Sequence, residues 1–423
     1  MSQQRLAQIS SHLTVQPTSG KQATIAPKIG VKSPEDVVIV DAVRTPIGRG
    51  KKGGFKDTVP EDLLAAALIG IKERNPKLDP KLVDDICVGN VLQAAGGATV
   101  SRQAALYAGF PNTTSLYTTN RQCSSGLQAV VSIATHIQAG LIDIGIGAGV
   151  ESMTLGYGPS AMAERTSEKI PENCAEAEDC TLAMGITSEN VAQDYQVGRQ
   201  KQDAFAALSF QKAAKAQKEG KFKSEIVPVT TKVEDKDGNE KEITVSQDEG
   251  IRDGVTAESL SKLKPAFGGY TTAGNASQVS DGAAAVLLMK RKTAEKLGLP
   301  IVGKFIASAV VGVPPRVMGV GPAFAIPAVC EKAGIQIKDI DVFELNEAFA
   351  SQAVMTIEHC KLDINKVNPV GGAIAMGHPL GCTGARQIAT LFPELKRQGK
   401  KIGCTTMCIG TGMGMAALFE NEQ

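Results

Sequence analysis

An internal repeat is the feature that most constrains the fold of this chain. The matching pairs of segments are Asp85–Asn90 with Asp341–Asn346, Ser124–Leu127 with Cys382–Ala385, and Ile144–Gly145 with Ile402–Gly403. Their offsets are 256, 258 and 258 residues, taken from 346 − 90, 382 − 124 and 402 − 144. Three nearly equal offsets in chain order predict two similar halves of one duplicated core.

Strand and helix patterns alternate within each half, which favours α/β layers. The apolar run Val37–Val40 is typical of a buried strand, and an apolar helix pattern follows over residues 62–72. Residues 283–289 are apolar and small, and we expect them to form a strand that returns to the first half. We therefore assign residues 36–152 and 275–299 to the first half and 300–423 to the second.

Residues 153–274 interrupt this pattern and are more polar. They contain a long charged helix pattern over about residues 199–219. Asp237-Gly238, between Val233 and Ile243, is a hairpin signal. We interpret this region as an inserted loop domain.

The first 35 residues differ from the rest in composition and predict a flexible extension. Within it, Leu6, Ile9 and Leu13 fall on one face of a possible short helix. No long apolar segment is present, so this is not a secretory signal.

Composition excludes several classes of function. Lys and Arg total 45 against 44 Asp and Glu, which argues against a basic surface for nucleic acid or anionic membranes. No apolar run reaches the ~18 residues that a membrane span needs. The nine cysteines form no C-x-x-C zinc pattern, and we expect most to be reduced. No metal site is predicted.

Cys123 is the first candidate for chemistry. The apolar helix pattern that follows it, from Leu127 to Ile137, predicts a thiol at a helix N-terminus. Backbone N–H groups and the helix dipole at that end favour a thiolate, so we expect a lowered pKa. A small buried cysteine is the alternative.

Three further segments hold candidate residues. His378 lies between Gly377 and Pro379, which disfavours helix there and suits a general base or an N–H donor. Cys408 precedes a glycine-rich run that can bring backbone N–H groups to a ligand, and this run does not fit a dinucleotide fingerprint. Asn346 and Glu347 lie where we expect a buried strand to end and a helix to begin, either at a ligand site or as a helix cap.

Together these segments closely resemble the thiolase family, in particular its degradative 3-ketoacyl-CoA branch. The resemblance runs from about Val37 to the C-terminus. Its motifs are Asn-Arg-Gln-Cys-Ser-Ser-Gly (120–126), Gly-Val-Glu-Ser-Met (149–153), Asn-Glu-Ala-Phe-Ala (346–350), Gly-Gly-Ala-Ile-Ala-Met-Gly-His-Pro-Leu-Gly (371–381) and Cys-Ile-Gly-Thr-Gly-Met-Gly (408–414). The family's fold implies a layered α-β-α-β-α core.

The resemblance also implies a role for each residue. Cys123 takes the acyl group as a thioester, and His378 activates it. His378 and a water held by Asn346 bind the thioester oxygen of the acetyl unit. Cys408 exchanges a proton with the α-carbon, and the N–H groups of Cys123 and Gly410 form a second oxyanion hole. The implied reaction is thiolysis of 3-ketoacyl-CoA by CoA. In this reaction CoA is a substrate, and no cofactor is implied.

Two features bear on substrate and ligand. Ala183 stands where short-chain biosynthetic members usually carry His, which resembles enzymes that accept longer chains. Arg252 and Ser277 resemble the family's CoA contacts, although a solvated surface charge is an equally good reading of Arg252.

The N-terminus resembles a peroxisomal address. Arg5 and Leu6, followed after five residues by His12 and Leu13, match the R-L-x5-H-L targeting pattern, which an import receptor reads. We therefore expect the peroxisomal matrix, and the family implies a homodimer.

Three alternatives remain at this point. One is an acetoacetyl-CoA thiolase working in synthesis. Another is a non-catalytic lipid carrier, which predicts loss of a catalytic residue that is not seen. The decarboxylating ketoacyl synthases share the fold, but Cys408 argues against them.

Overall fold

The computed structural model describes residues 27–158, 161 and 165–423. The expected N-terminal helix and the targeting residues Arg5, Leu6, His12 and Leu13 lie outside the described residues. None of the helices in the described ranges is long and apolar enough to cross a membrane.

The first half opens with five strands and three helices. The strands are β1 (Val37–Arg44), β2 (Gly48–Arg49), β3 (Asp85–Gly89), β4 (Ser115–Thr119) and β5 (Ile144–Ser152). The helices are α1 (Pro60–Arg74), α2 (Ala98–Tyr107) and α3 (Ser125–Gln138). Short 3-10 turns occupy Pro80–Leu82 and Ala94–Gly97. The expected strand over Val37–Val40 and the helix over 62–72 are confirmed.

Between β5 and the next strand of the core lie short helices, one long helix and a hairpin. The helices are α4 (Met153–Gly156), α5 (Lys169–Asn173), α6 (Ala175–Asp179), α7 (Met184–Asp194), α8 (Arg199–Lys218) and α9 (Ala257–Ser261), with a 3-10 turn at Lys221–Ser224. The hairpin pairs β6 (Val229–Glu234) with β7 (Glu240–Val245). The expected helix near 199–219 and the hairpin at Asp237-Gly238 are confirmed.

The chain then returns to the first half and continues into the second. The returning elements are β8 (Ser280–Lys290) and α10 (Arg291–Leu297). The remaining strands are β9 (Gly303–Gly312), β10 (Val342–Leu345), β11 (Ile402–Ile409) and β12 (Met413–Asn421). The remaining helices are α11 (Gly321–Ala333), α12 (Ala350–Cys360), α13 (Ala373–Met376) and α14 (Leu380–Gln398), with 3-10 turns at Pro315–Val320 and Ile337–Asp339.

The two halves share one strand topology. In the first half the order is β4-β3-β5-β8-β1, with β3 parallel to β4 and β5, and β8 antiparallel to β5 and β1. In the second half β10-β11-β12-β9 repeats this order and these directions, and a parallel bridge from Phe343 to Val367 takes the place of β4. The duplication expected from the sequence is therefore confirmed.

Three hydrophobic clusters define five layers. One joins α1 and α2 to the outer face of the first sheet, and another joins α8, α11 and α12 to the outer face of the second. The third cluster contains α3 and α14 and lies between the strand layers of the two halves, which the antiparallel pairing of β1 with β9 joins into one continuous sheet. The layers are therefore α-β-α-β-α, as expected, and the central layer holds one helix from each half.

Glycine permits the two central helices to approach closely. A methyl group on Gly126 of α3 would lie 2.5 Å from the Gly381 carbonyl oxygen. One on Gly384 of α14 would lie 2.2 Å from the Leu127 nitrogen. Both distances are shorter than a methyl group tolerates, so this contact requires glycine at both positions. The N-terminal ends of α3 and α14 thereby meet at the centre of the molecule.

A buried ion cluster ties the inserted region to the first half. Arg44 at the end of β1 donates to Glu225 at 2.7 Å and to both carboxylate oxygens of Asp248, at 2.6 and 2.9 Å. All three side chains are buried. Because removing one partner would strand an uncompensated charge, the cluster fixes how the insert sits on the core.

Candidate active site

Cys123 lies where the sequence predicts, directly before the first turn of α3. The preceding residue, Gln122, has φ of 48°, a conformation that costs free energy in residues other than glycine. Ser125 maintains this turn, because its hydroxyl donates to Gln122 O at 2.6 Å and accepts from Arg121 N–H at 2.9 Å. The strained turn thereby fixes the position of the thiol.

The expected lowering of the Cys123 pKa is wrong for the protein without substrate. Burial raises the pKa of Cys123 to about 11, and the nearby Glu151 carboxylate also favours the neutral thiol. Two backbone N–H groups, those of Gly410 and of Cys123 itself, donate to the sulfur and oppose this rise. Desolvation in the folded protein outweighs them, and the local sequence does not show it.

His378 lies between α13 and α14, and its non-helical position is confirmed. Its Nδ1 is 2.6 Å from Thr383 Oγ1, and the Thr383 hydroxyl donates to the Pro379 carbonyl at 3.1 Å. Thr383 therefore accepts from Nδ1–H, which leaves Nε2 as the unprotonated ring nitrogen that can take a proton. Burial and the Arg386 cation lower the pKa of His378 to about 3, so the ring is neutral at neutral pH.

Asn346 directly follows β10 and contacts His378, with 3.3 Å between Nδ2 and Nε2. The helix that we expected here begins later, at Ala350, with Phe349 at its N-cap. The cap alternative for Asn346 is therefore wrong. The side-chain amide oxygen of Asn346, Oδ1, is buried and has no hydrogen-bond partner among the described residues. It can therefore accept a hydrogen bond from a small ligand or a water.

Glu347 holds the segment after β10 in place through hydrogen bonds. Its carboxylate accepts hydrogen bonds from Ser209 of α8 at 2.6 Å, from Asn368 at 2.7 Å and from the Ile374 N–H at 3.2 Å. Burial raises its pKa. The side chain ties the insert to the segment before His378, so its role is structural.

Cys408 and Gly410 lie at the end of the β11–β12 hairpin. The connecting loop contains Thr411 and Gly412, both with positive φ (68° and 91°), which turns the chain sharply. This turn directs the Gly410 N–H at the sulfur of Cys123. Cys408 is buried, and burial together with the neighbouring Cys123 thiol raises its pKa well above the ordinary range.

Glu151 at the end of β5 connects these groups, and our sequence reasoning gave it no role. Its carboxylate accepts from the N–H groups of Val91 at 3.0 Å, Leu92 at 3.1 Å and Gly381 at 2.9 Å. Burial raises its pKa to about 7. A charged residue in an otherwise buried strand was the signal that could have identified it.

The structure thus brings the predicted residues together in two groups. The Gly410 N–H donates to the Cys123 sulfur and Cys408 lies near enough to Cys123 to feel its charge, while His378 and Asn346 form a hydrogen-bonded pair beside the start of α14. In the described part of the chain, neither recorded hydrogen bond of the His378 ring goes to Cys123. Glu151 and the α3–α14 contact join the two groups.

The two candidate CoA contacts lie on segments next to the His378 loop. Ser277 is half-buried, and its N–H donates to Ala348 O at 2.9 Å. The neighbouring Gln278 accepts from the His378 N–H at 3.4 Å. Arg252 is exposed, and its guanidinium lies over the Phe210 ring at 4.6 Å from the centroid. Across the described ranges, no cluster of three or more His, Cys, Asp and Glu side chains is placed to bind a metal.

Comparisons with known proteins give the family. The thiolase N-terminal domain model matches residues 37–292, and the thiolase C-terminal domain model matches residues 299–421. The peroxisomal 3-ketoacyl-CoA thiolase of Yarrowia lipolytica is 57% identical over 420 residues, which cover 99% of this chain and 100% of that protein.

Solved structures agree. The dimeric peroxisomal thiolase of Saccharomyces cerevisiae superposes with a TM-score of 0.85 at 53% identity, covering 93% of this chain and 99% of that one. The acetyl-CoA acetyltransferase of Bacillus anthracis has a TM-score of 0.82 at 38% identity, covering 92% and 99%. With both family models matched in order across its two halves, the chain belongs to the thiolase family.

Proposed function

We propose that the protein catalyses thiolysis of 3-ketoacyl-CoA by CoA, giving acetyl-CoA and a shortened acyl-CoA. One observation carries this proposal: a nucleophilic thiol of the first half meets a second thiol and a backbone N–H of the second half. Cleaving a C–C bond beside a thioester needs a nucleophile, a proton for the leaving carbon and donors for the oxyanions. These groups supply all three.

Acylation begins from a neutral pair. With the pKa of Cys123 raised and that of His378 lowered, neither group is charged at neutral pH in the free protein. The proton therefore moves from sulfur to Nε2 as the C–S bond to the β-ketone forms. The Thr383 hydroxyl assists because it accepts from Nδ1–H and stabilises the imidazolium.

The leaving acetyl unit departs as an enolate. His378 Nε2–H and a water held by the unpartnered Asn346 carbonyl oxygen are placed to bind its oxygen. Cys408 gives its proton to the α-carbon. The N–H groups of Cys123 and Gly410 then stabilise the oxyanion that forms when CoA attacks the acyl-enzyme.

The CoA chain is proposed to run along the segment of Ser277, with its nucleotide near Arg252. Ser277 lies beside the His378 loop, and the Arg252 guanidinium is exposed above an aromatic ring, where it can reach a phosphate. Arg252→Ala should therefore raise the KM for CoA and leave kcat nearly unchanged.

We place the reaction in peroxisomal fatty-acid β-oxidation, in a homodimer. Relatives named as peroxisomal enzymes match 51–57% of positions along nearly the whole chain. The R-L-x5-H-L pattern is the proposed import signal, read by a peroxisomal import receptor. The double variant Leu6→Arg, His12→Asp should keep full activity when purified and remain in the cytosol. Unchanged import would rule out this signal.

The decisive experiment is thiolysis of 3-ketoacyl-CoA substrates from short to long chains with free CoA. Activity that extends beyond the four-carbon substrate is expected, since Ala183 replaces the histidine of short-chain members. Activity confined to acetoacetyl-CoA would favour the synthetic alternative. No activity with any chain length would favour the lipid carrier.

A further inference from the structure

Among the described residues, the side chain of Gln352 forms a hydrogen bond with the Cys408 thiol. The Sγ of Cys408 donates to Oε1 of Gln352 at 3.6 Å. The hydrophobic cluster around the thiol consists of buried Met318 and Ala348, with Met184 and Phe349 partly buried. In such surroundings a thiolate lacks the water that would stabilise it, so a neighbouring polar side chain such as Gln352 can favour one protonation state over the other.

The side-chain amide of Gln352 is unusual because only one of its two polar atoms forms a hydrogen bond among the described residues. The side chain is 1% exposed, and its Nε2 is buried without a hydrogen-bond partner among the described residues. Its Oε1 makes one recorded hydrogen bond, the one to Cys408. Rotation of the terminal amide by about half a turn exchanges acceptor and donor. Within the described residues, that rotation breaks no side-chain hydrogen bond of Gln352 other than the one to the thiol.

We propose that Gln352 is a positioning residue that serves both protonation states of Cys408. Its Oε1 accepts from the S–H of the thiol, and after rotation its Nε2–H donates to the thiolate. This inference rests on the proposed function, because only in thiolysis does Cys408 lose and regain its proton.

The proton balance of that cycle is closed. Cys408 S–H protonates the α-carbon of the enolate, which leaves a neutral acetyl-CoA and the Cys408 thiolate. The His378 imidazolium returns a proton to Cys408, and the neutral ring then takes the proton of the incoming CoA thiol as the CoA sulfur attacks the acyl-Cys123 carbonyl. The acyl group leaves as acyl-CoA, and the Cys123 thiolate recovers its proton from the His378 imidazolium. Gln352 stabilises the thiolate between the first two steps.

The test compares thiolysis with exchange of labelled CoA into a saturated acyl-CoA, a reaction that moves no α-proton. Gln352→Met should lower thiolysis by about 10- to 100-fold, the value of a hydrogen bond to a charged group, and leave exchange near the wild-type rate. Gln352→Glu, nearly isosteric, should lower thiolysis further at neutral pH because a carboxylate repels the thiolate. Its thiolysis should recover relative to wild type as the pH falls and the carboxyl gains a proton.

The matched control is Gln387→Met. Gln387 is also buried, and its amide donates to Glu344 O at 2.8 Å, without a recorded contact to Cys408. It should change thiolysis and exchange by the same factor. Equal losses of both reactions in Gln352→Met, or a Gln352→Glu pH profile parallel to wild type, would overturn the inference. If the methionine variant does not fold, the glutamate variant carries the test. Failure of the wild type to cleave any 3-ketoacyl-CoA would instead overturn the proposed function.

Discussion

The two halves of the molecule place different side chains on the same scaffold. At the carboxyl end of β3 stands Asn90, and at that of β10 stands Asn346, each buried and each with an unpartnered carbonyl oxygen in the described structure. The Nδ2 of Asn90 donates to Gly96 O at 2.8 Å, within its own loop. That of Asn346 contacts the His378 ring.

The carboxyl ends of the equivalent strands β5 and β11 also carry different side chains. Glu151 at the end of β5 organises three backbone N–H groups, whereas Cys408 near the end of β11 faces the Cys123 thiol. Duplication thus supplies equivalent positions, and the chemistry comes from their divergence. In the proposed mechanism the first half contributes the nucleophile, and the second contributes the base, the proton donor and a backbone N–H.

The largest expected effect separates the two cysteines. Cys123→Ala should abolish both thiolysis and CoA exchange, because no acyl-enzyme can form. Cys408→Ala should lose thiolysis by ~10² to 10⁴ and keep most of the exchange, because acyl transfer moves no α-proton. Steady-state rates of both reactions for the two purified variants decide this. Equal loss in Cys408→Ala, with the fold intact, would show that Cys408 shapes the site instead of moving a proton.

The next comparison sets the two asparagines against each other. Asn346→Ala should lower thiolysis by ~10² to 10³, the cost of losing one group that stabilises an oxyanion. Asn90→Ala should leave the turnover number close to that of wild type and lower the free energy of unfolding by about 1 kcal/mol, through one lost hydrogen bond. Kinetics and urea unfolding of both variants give the answer. A similar loss of thiolysis in both variants would contradict a catalytic role that is specific to Asn346.

The glycine contact between the halves gives a smaller, structural effect. Gly126→Ala and Gly384→Ala should each destabilise the protein by about 1 to 3 kcal/mol, because the added methyl overlaps backbone atoms of the other half. Gly312→Ala is the control, since a methyl there meets no atom within 4 Å. Thermal or urea unfolding measures the difference. Comparable stability of all three variants would contradict this packing.

The smallest expected effect is the pH dependence of stability at His378. Its pKa falls from the usual 6.5 to about 3 on folding, so its contribution is present above pH 6.5 and is lost as the pH falls toward 3. The stability advantage of wild type over His378→Asn should therefore shrink on acidification, by up to about 1.4 kcal/mol per pH unit. Urea unfolding between pH 6.5 and 4.5 tests this. A constant difference across that range would show that the folded ring takes up protons freely.

Much of the fold was predictable from short patterns in the chain. The repeat predicted the duplication, and the apolar run of β1, the apolar helix pattern of α1 and the charged helix pattern of α8 matched the structure closely, because local pattern reports which face of an element is buried. The helix near Asn346 was placed too early, since Asn at a strand end resembles a cap signal. The true start, after Phe349, has no capping side chain.

The candidate site was predictable in its residues and not in its energetics. Each motif is a short run of neighbouring residues, so Cys123, His378, Asn346 and Cys408 could be selected as candidates from the sequence alone. Glu151 and Gln352 could not be assigned roles, because their partners lie in other segments. Gln352 and Cys408, for example, are 56 residues apart in the chain.

The sequence by itself therefore determined the family and the duplicated α/β architecture, and it selected the side chains that we propose to react. The tertiary structure alone decided their protonation states. The helix N-terminus predicted a thiolate at Cys123, and burial in the folded protein reversed that prediction, raising its pKa to about 11. Desolvation depends on every atom that surrounds a group, and those atoms come from both halves of the chain, so no local pattern contains it.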